Sequence, residues 1–305
     1  SKKLRLRSKK HLFMQLGVNE DFVSRIIDNF DNEYSTFSEP DKKGKLRDFT
    51  NPGENLRVIQ KRINKLLDRI DFPNSIQGGL KGKSISSNAA IHTNKKYVAN
   101  FDISGFFPSI KSGLVYDAFI KQECSADVAR ILTRLTTANG CVPQGFLTSP
   151  KISGLVLLDI NSRLEKLLTP YGLQFSFWID DLTISGNYDI KKLDKKIAEV
   201  FKYSSFDLND TKTKHADSKM KQESLGLVLN TSPNKDAEYR KKLKNELVAL
   251  KKYGVDSYLD ENYPDLDKAA YVRNLKGRVG FLVQINESNQ KFKDLLQEVL
   301  EKENI

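Results

Sequence analysis

Apolar residues recur at helical spacing through Leu12, Leu16, Phe22, Val23, Ile26, Ile27 and Phe30, which predicts a helix over residues 8–31. The stretch 32–53 holds Pro40, Gly44, Pro52 and Gly53 and reads as a loop or a short hairpin. Leu56, Ile59, Ile63, Leu66, Leu67 and Ile70 predict a second helix over 54–71, which Pro73 stops. Gly78, Gly79 and Gly82 then mark a flexible basic loop. The run YVANFDI (97–103) predicts a short strand ending in Asp102. Helices are predicted over 112–122, 126–138 and 148–168. Two short strands, 175–179 and 182–184, meet at Asp180 and Asp181. A helix over 190–203 and a strand over 225–230 follow. From 237 to 305 the pattern is mostly helical, broken by Gly254 and Pro264. There is no internal repeat and no low-complexity segment. The middle, 97–230, alternates strands and helices around an antiparallel sheet, and both ends are helical and basic.

Composition narrows this picture. The 305 residues suffice for a sizeable core, in one large domain or two to three lobes. Hydrophobic residues make up 39% and charged residues 29%, as in a soluble globular chain. No apolar run reaches the roughly 18 residues of a membrane span, so no membrane partner is expected. The opening SKKLRLRSKKHLF leads into no apolar signal core, so secretion is not expected either. Cys124 and Cys141 sit in no metal-ligand pattern and read as reduced thiols of a cytoplasmic protein.

Charge changes the picture more. Fifty Lys and Arg face 39 Asp and Glu, a formal net charge of +11. Such a surface attracts polyanions, of which nucleic acid is the commonest, although a basic chain is also simply soluble. The excess gathers in separate stretches: 2–10, 81–96, 191–196, 212–221 and 240–252. That distribution suits a long groove better than a single tail.

Against this background, Asp180 and Asp181 stand out. Phe175, Phe177 and Ile179 alternate before them, and Leu182 and Ile184 resume the apolar pattern after them. An Asp-Asp pair alone is most simply a solvated turn. This one sits at a tight hairpin tip held by a core. If the strand ending in Asp102 lies in the same sheet, three carboxylates converge at one edge. Two carboxylates about 4 Å apart repel by roughly 4 kcal/mol at an effective dielectric near 20. Protonation, a Lys or Arg, or divalent cations relieve that repulsion. Hard oxygen ligands select Mg2+ or Mn2+, and a pair of such ions suits phosphoryl transfer.

The residues also carry a family resemblance. FDISGFFPSI (101–110), VPQGFLTSP (142–150), FWIDDLTISG (177–186) and NDTKT (209–213) resemble, in order and spacing, the palm motifs of reverse transcriptases. Trp178 stands where Tyr is usual. SISSNAAIH contains N-A-x-x-H at Asn88–His92, similar to bacterial retron reverse transcriptases. SLG (224–226) stands where those enzymes usually carry V-T-G. The resemblance covers about 80–230 well and the ends poorly.

It implies an α+β fold, the right-hand polymerase fold with fingers, a palm of antiparallel sheet plus helices, and a helical thumb. Residues 1–96 would form N-terminal helices and fingers, 97–230 the palm, with 112–140 partly fingers, and 231–305 the thumb. It makes Asp102, Asp180 and Asp181 the catalytic, metal-binding triad for two Mg2+ ions, with Mn2+ as the alternative, and adds the Ile103 carbonyl as a ligand. Phe107 matches the position that blocks a ribose 2′-OH, and is equally a plain core residue. Gln144 and Gly145 would contact the incoming dNTP and template. Lys212 would approach the triphosphate, and Lys81 and Lys83 either do the same or are merely solvated. Asn88 and His92 imply RNA contact or fold support. Arg240, Lys241 and Lys244 would track RNA on the thumb. The implied activity is RNA-directed DNA synthesis from a cognate structured non-coding RNA, giving multicopy single-stranded DNA. The implied partners are that RNA and its DNA product, dNTPs, an effector protein of anti-phage defence, and a host RNase H. Other expectations stay open: an abortive-infection type reverse transcriptase, a reduced intron enzyme, a non-catalytic RNA-binding scaffold, or a palm-like nucleotide cyclase.

Overall fold

The computed structural model describes residues 2–41, 44, 46–202 and 204–303. The helix expected over 8–31 is two: α1 (Lys9–Leu16) and α2 (Glu20–Asp28). Gly17 ends α1 with a φ of 63°, and the Asn19 side chain caps α2 by accepting from the Phe22 N–H. Both helices bury apolar residues at helical spacing, so periodicity alone hides the break. The 32–53 stretch is a hairpin of β1 (Tyr34–Pro40) and β2 (Leu46–Pro52), antiparallel, with Phe37 opposite Phe49. Lys42, Lys43 and Lys45 near its tip lie outside the described residues. Then come α3 (Glu54–Leu67), α4 (Ile85–Ala90) and β3 (Tyr97–Asp102). The expected loop before β3 thus contains a helix. Next are α5 (Phe106–Ser109), α6 (Ser112–Lys121) and α7 (Ala126–Thr136).

The helix expected over 148–168 also divides, into α8 (Ser149–Val156) and α9 (Leu158–Leu168), where ψ at Leu157 relaxes to −9°. β4 (Gln174–Trp178) and β5 (Asp181–Gly186) form the predicted pair. A 3-10 turn, Ile190–Leu193, leads into α10 (Asp194–Lys202), and Tyr203, in the expected helix, lies outside the described residues. β6 (Lys214–Asp217) went unpredicted because its KHAD sequence is not apolar. The strand expected over 225–230 is instead a turn and one short limb. Leu225 and Gly226, with φ of 52° and 72°, join β7 (Glu223–Ser224) to β8 (Leu227–Val228). The chain ends in α11 (Ala237–Tyr253), α12 (Val255–Asn262), α13 (Lys268–Ile285) and α14 (Gln290–Lys302), with residues 304–305 outside the described set. Gly254 and Pro264 fall in the gaps, as expected.

The chain divides into two compact units. The first comprises residues 1–84 and 99–215. Its centre is a sheet of strand order β4-β5-β3-β6, whose last strand runs on into the second unit. β5 and β3 are interior strands, and Leu182 through Gly186 of β5 are all buried. Phe101, Phe177, Leu182, Ile184, Ile197 and Phe201 contribute to this unit's core. The second unit comprises residues 85–98 and 216–305. There α11 to α14 bury Leu243, Leu247, Leu259, Leu275, Phe292 and Val299 together. Ala89, Val98, Leu227, Leu229 and Ile285 form a smaller cluster. The architecture is α+β: helices around antiparallel hairpins.

Candidate active site

Asp180 and Asp181 owe their position to a two-residue turn. Trp178 pairs with Asp181 across the β4–β5 ladder, which leaves only Ile179 and Asp180 to reverse the chain. Ile179 takes a φ of 60°. That backbone suits Gly at the first turn position and strains a β-branched residue. Strain of this kind costs of order 1–3 kcal/mol and persists only where surroundings enforce it.

The surroundings are residues 75–79. The Phe177 carbonyl accepts from the N–H groups of Gln77 and Gly78, at 2.9 and 3.2 Å, and the Phe177 N–H donates to the Ser75 carbonyl. Ile76 thus bridges β4 in parallel. A Cβ on Gly78 would lie 2.4 Å from the Ile179 nitrogen, and one on Gly79 would lie 2.2 Å from Pro150 Cβ. Residues 75–79, at the start of the expected flexible loop, therefore form a strap against the aspartate turn. Its glycines serve close approach, which local sequence pattern does not show.

Asp102 arrives from β3, the neighbour of β5. The Ile103 N–H donates to the Asp180 carbonyl at 3.1 Å, tying the strand end to the turn. The Asn209 N–H donates to the Asp102 carbonyl at 2.8 Å, so the NDTKT segment lies against the same corner. Lys212 Nζ donates to both carboxylate oxygens of Asp102, at 2.9 and 3.0 Å. The Asp102 side chain is 18% exposed and that of Lys212 54% exposed.

Three carboxylates share this corner, and their ionisation reflects it. Burial, then the Asp102 charge, pushes the Asp180 carboxyl up, with Lys212 and Arg47 opposing. Burial, then the charges of Asp180 and Asp102, raises Asp181 to about 6. Asp181 has an exposed surface, so water offsets part of the burial effect, and the crowding of like charges is the firmer cause. The sign follows from linkage. A carboxyl whose folded pKa lies above its unfolded value of about 3.9 costs stability above pH 6, and the cost fades as pH falls toward 4. Asp181→Asn is therefore expected to melt above the parent at pH 7.5 in chelator, with a smaller gap at pH 5. Melting curves at both pH values check this, and a gap that widens at pH 5 contradicts it.

The implied divalent metal can be tested against these residues. The donors are carboxylate oxygens, right for a hard cation. Among the described residues, however, no group of three His, Cys, Asp or Glu side chains closes around one point. The ammonium of Lys212 sits where positive charge on Asp102 is needed. Only the Lys212 end of this pair is well exposed, so water screens it in part. The carboxylate chemistry of Asp102, Asp180 and Asp181 fits a divalent ion, which would take the place of the Lys212 ammonium at Asp102.

The other expected residues fall in several places. The Gln144 carbonyl accepts from the Thr50 N–H at 2.7 Å, and a Cβ on Gly145 would meet the Thr50 carbonyl at 2.5 Å. The VPQG turn is thus seated on β2. Phe107 is half-buried beside Phe106, ring centroids 5.6 Å apart. Lys81 is exposed, and Lys83 donates to the Asn74 side chain at 3.1 Å. Lys241 and Lys244 are exposed on α11, while Arg240 Nε donates to the Lys235 carbonyl. Direct RNA contact at Asn88 and His92 needs surface that they lack: they are 1% and 0% exposed. Burial lowers the His92 pKa to about 3, so its ring is neutral. Sequence reasoning missed Arg47, Thr50 and Gly78. Arg47 reaches Asp180 by charge, Thr50 and Gly78 act through contacts remote in sequence, and only the glycine-rich run gave a signal.

Residues 39–229 match the profile of the family described as reverse transcriptase (RNA-dependent DNA polymerase). The chain belongs to the reverse transcriptase family. Its α+β architecture is accordingly that of a polymerase, and its activity class is RNA-directed DNA polymerase. Retron Se72 reverse transcriptase of Salmonella heidelberg (strain 579083-10) is 33% identical over 267 residues, 84% of this reverse transcriptase and 70% of the relative. Retron Mx65 reverse transcriptase of Myxococcus xanthus is 29% identical, over 69% of this chain and 54% of its own length. Retron Ec86 reverse transcriptase of Escherichia coli is 25% identical, over 62% and 61%. The resemblance to retron enzymes is borne out. Reverse transcriptases generally use divalent metal ions, in keeping with the donor set at Asp102, Asp180 and Asp181. No helix among the described residues is long and apolar enough to cross a membrane.

Proposed function

We propose that this reverse transcriptase serves a retron, copying a cognate structured non-coding RNA into multicopy single-stranded DNA. The observation that carries the reading is the shared corner of Asp102, Asp180 and Asp181 in a chain whose relatives are retron enzymes. Those carboxylates would hold two Mg2+ ions, or Mn2+, with the Ile103 carbonyl assisting. When bound, such ions supply positive charge to the attacking and leaving oxygens of nucleotidyl transfer.

The remaining work falls to the chain itself. The strained turn and its strap fix the direction of the Asp180 and Asp181 carboxylates, so no reorganisation is needed at the moment of reaction. Lys212, released from Asp102, reaches the triphosphate and neutralises the departing pyrophosphate. Gln144 and Gly145 position the dNTP, Phe107 excludes a ribose 2′-OH, and Lys81 and Lys83 assist at the phosphates. In this reading residues 1–96 form the fingers with the N-terminal helices, 97–230 the palm and 231–305 the thumb. Arg240, Lys241 and Lys244 meet RNA phosphates on α11, and the buried Asn88 and His92 support the fold from within. The product stays paired with an effector protein in cytoplasmic anti-phage defence, and a host RNase H removes template.

The test is the nucleic acid that co-purifies with the protein expressed from its native locus. After RNase treatment, a denaturing gel is expected to show one discrete short single-stranded DNA. Absence of DNA would move the reading to another defence polymerase.

A further inference from the structure

We propose that a cavity among the C-terminal helices takes one unstacked nucleotide, its base against tyrosine rings and its phosphate toward the basic side of α11. The family profile ends at residue 229, so the cavity lies wholly beyond it. The proposal rests on the RNA-copying reading only for the source of the nucleotide.

α11 has two working faces. Leu243, Leu247 and Leu250 enter the helical core. Tyr239, Lys242, Glu246 and Ala249 recur at helical spacing on an adjoining face. That face borders a cavity of about 570 Å3, which Tyr258, Tyr263 and Arg278 also line. A second cavity of about 440 Å3 shares Glu246, Tyr263 and Arg278 and adds Tyr271 and Asn274. Volumes of roughly 300–1,000 Å3 with aromatic walls and a few polar groups are those of small-ligand sites.

The chemistry of the lining selects the ligand. Tyr258, Tyr263 and Tyr271 stand with ring centroids 6.3–6.4 Å apart. Tyr263 is nevertheless 50% exposed, so aromatic surface remains for a further ring. A carboxylate among tyrosines suggests a cation at first sight. Glu246, however, accepts from both terminal nitrogens of Arg278 and from the Tyr271 hydroxyl, so its charge is already met. Lys242 on the same wall is paired with Glu238 at 2.8 Å, so its charge is met as well. A cation finds no unmet carboxylate here, and a neutral aromatic ring is favoured inside the cavity, with any phosphate left outside it.

Charge also orients the ligand. Arg240, Lys241, Lys242 and Lys244 crowd α11, whereas residues 255–267 carry Asp256, Asp260, Glu261, Asp265 and Asp267 and no basic residue. The phosphate leaves the pocket along α11 and not along α12. Stacking of one base on an aromatic side chain contributes about 1–3 kcal/mol and tolerates any base. Asn245 and Asn274 supply hydrogen-bonding groups at the rim.

The nucleotide comes from single-stranded RNA or from the free pool, and one experiment separates the two. The full chain is irradiated with an RNA octamer carrying 4-thiouridine, and the labelled peptide is identified by mass spectrometry. The expected label lies within 255–278. Tyr263→Ala is expected to lower labelling there and to weaken octamer affinity roughly 10- to 100-fold, whereas Tyr263→Phe retains both. Ala249→Trp, which fills the cavity without removing a polar group, is expected to match Tyr263→Ala. Unfolding midpoints of all three report whether the fold is kept. Competition by millimolar adenosine monophosphate assigns the site to free nucleotides, and its failure to compete assigns it to RNA. No label in 255–278, or labelling and affinity unchanged in Tyr263→Ala and Ala249→Trp, overturns the proposal. DNA synthesis on an RNA template is scored separately. Synthesis without thumb label sinks the pocket alone, and label without synthesis sinks the polymerase reading alone.

Discussion

Asp180→Asn is expected to lower RNA-templated DNA synthesis by about 10³-fold, with RNA affinity unchanged within twofold. Loss of a single preorganised electrostatic group costs roughly 10²–10³-fold in known active sites, and a carboxylate that would hold the metal ions belongs at the upper end. The amide is nearly isosteric. It also removes one of three crowded charges at a corner where burial and Asp102 already push the Asp180 carboxyl up. The variant therefore folds at least as well as the parent. Primer extension and RNA filter binding, run side by side, check the split. Equal loss of both would mean a damaged fold and not a missing charge.

The second large effect belongs to a residue with no chemistry. Gly78→Ala is expected to lower synthesis about 10²-fold and stability by about 1–3 kcal/mol. The added Cβ would meet the Ile179 nitrogen at 2.4 Å and Ile179 Cγ1 at 2.7 Å. Ile179 already holds a φ of 60° and is bonded directly to Asp180, so a shift there turns the carboxylate. Misplacement of a catalytic group by about 1 Å costs about 10²-fold. Gly113→Ala is the control, since a Cβ there meets nothing within 4 Å and Gly113 lies inside α6. Steady-state synthesis and urea melts on both variants decide it. Gly78→Ala with parental activity would remove the strap from the account.

What was legible in the sequence follows from where the information lies. The Asp180–Asp181 turn was readable because Phe175, Phe177, Leu182 and Ile184 flank it at strand spacing, and the β4–β5 register confirms the tight tip. Asp102 was placed by its apolar strand, and β3 is indeed the neighbour of β5. Lys212 was placed near phosphates by resemblance, yet its present contact is with Asp102. The Asn209–Asp102 backbone hydrogen bond brings the NDTKT segment to the same corner, and no local pattern encodes it. Gly78 and Gly79 read as flexibility because glycine-rich runs usually are flexible. Here they allow backbone to touch β4 and Pro150, a packing fact set by residues far along the chain. Gly17 and Asn19 gave the break between α1 and α2 in cap chemistry, while periodicity ran through it. Asn88 and His92 were read from a motif, and their burial, set by packing, was not legible there.

The most direct measurement is primer extension by the purified chain on a defined RNA template with dNTPs, stripped of metal by chelator and then refilled with Mg2+. The account predicts DNA product running to the template end, absent in chelator, restored by the ion and lost in Asp180→Asn. Product that persists in chelator or in Asp180→Asn, or no product at any divalent ion concentration, would contradict the claim that Asp102, Asp180 and Asp181 form a working polymerase centre.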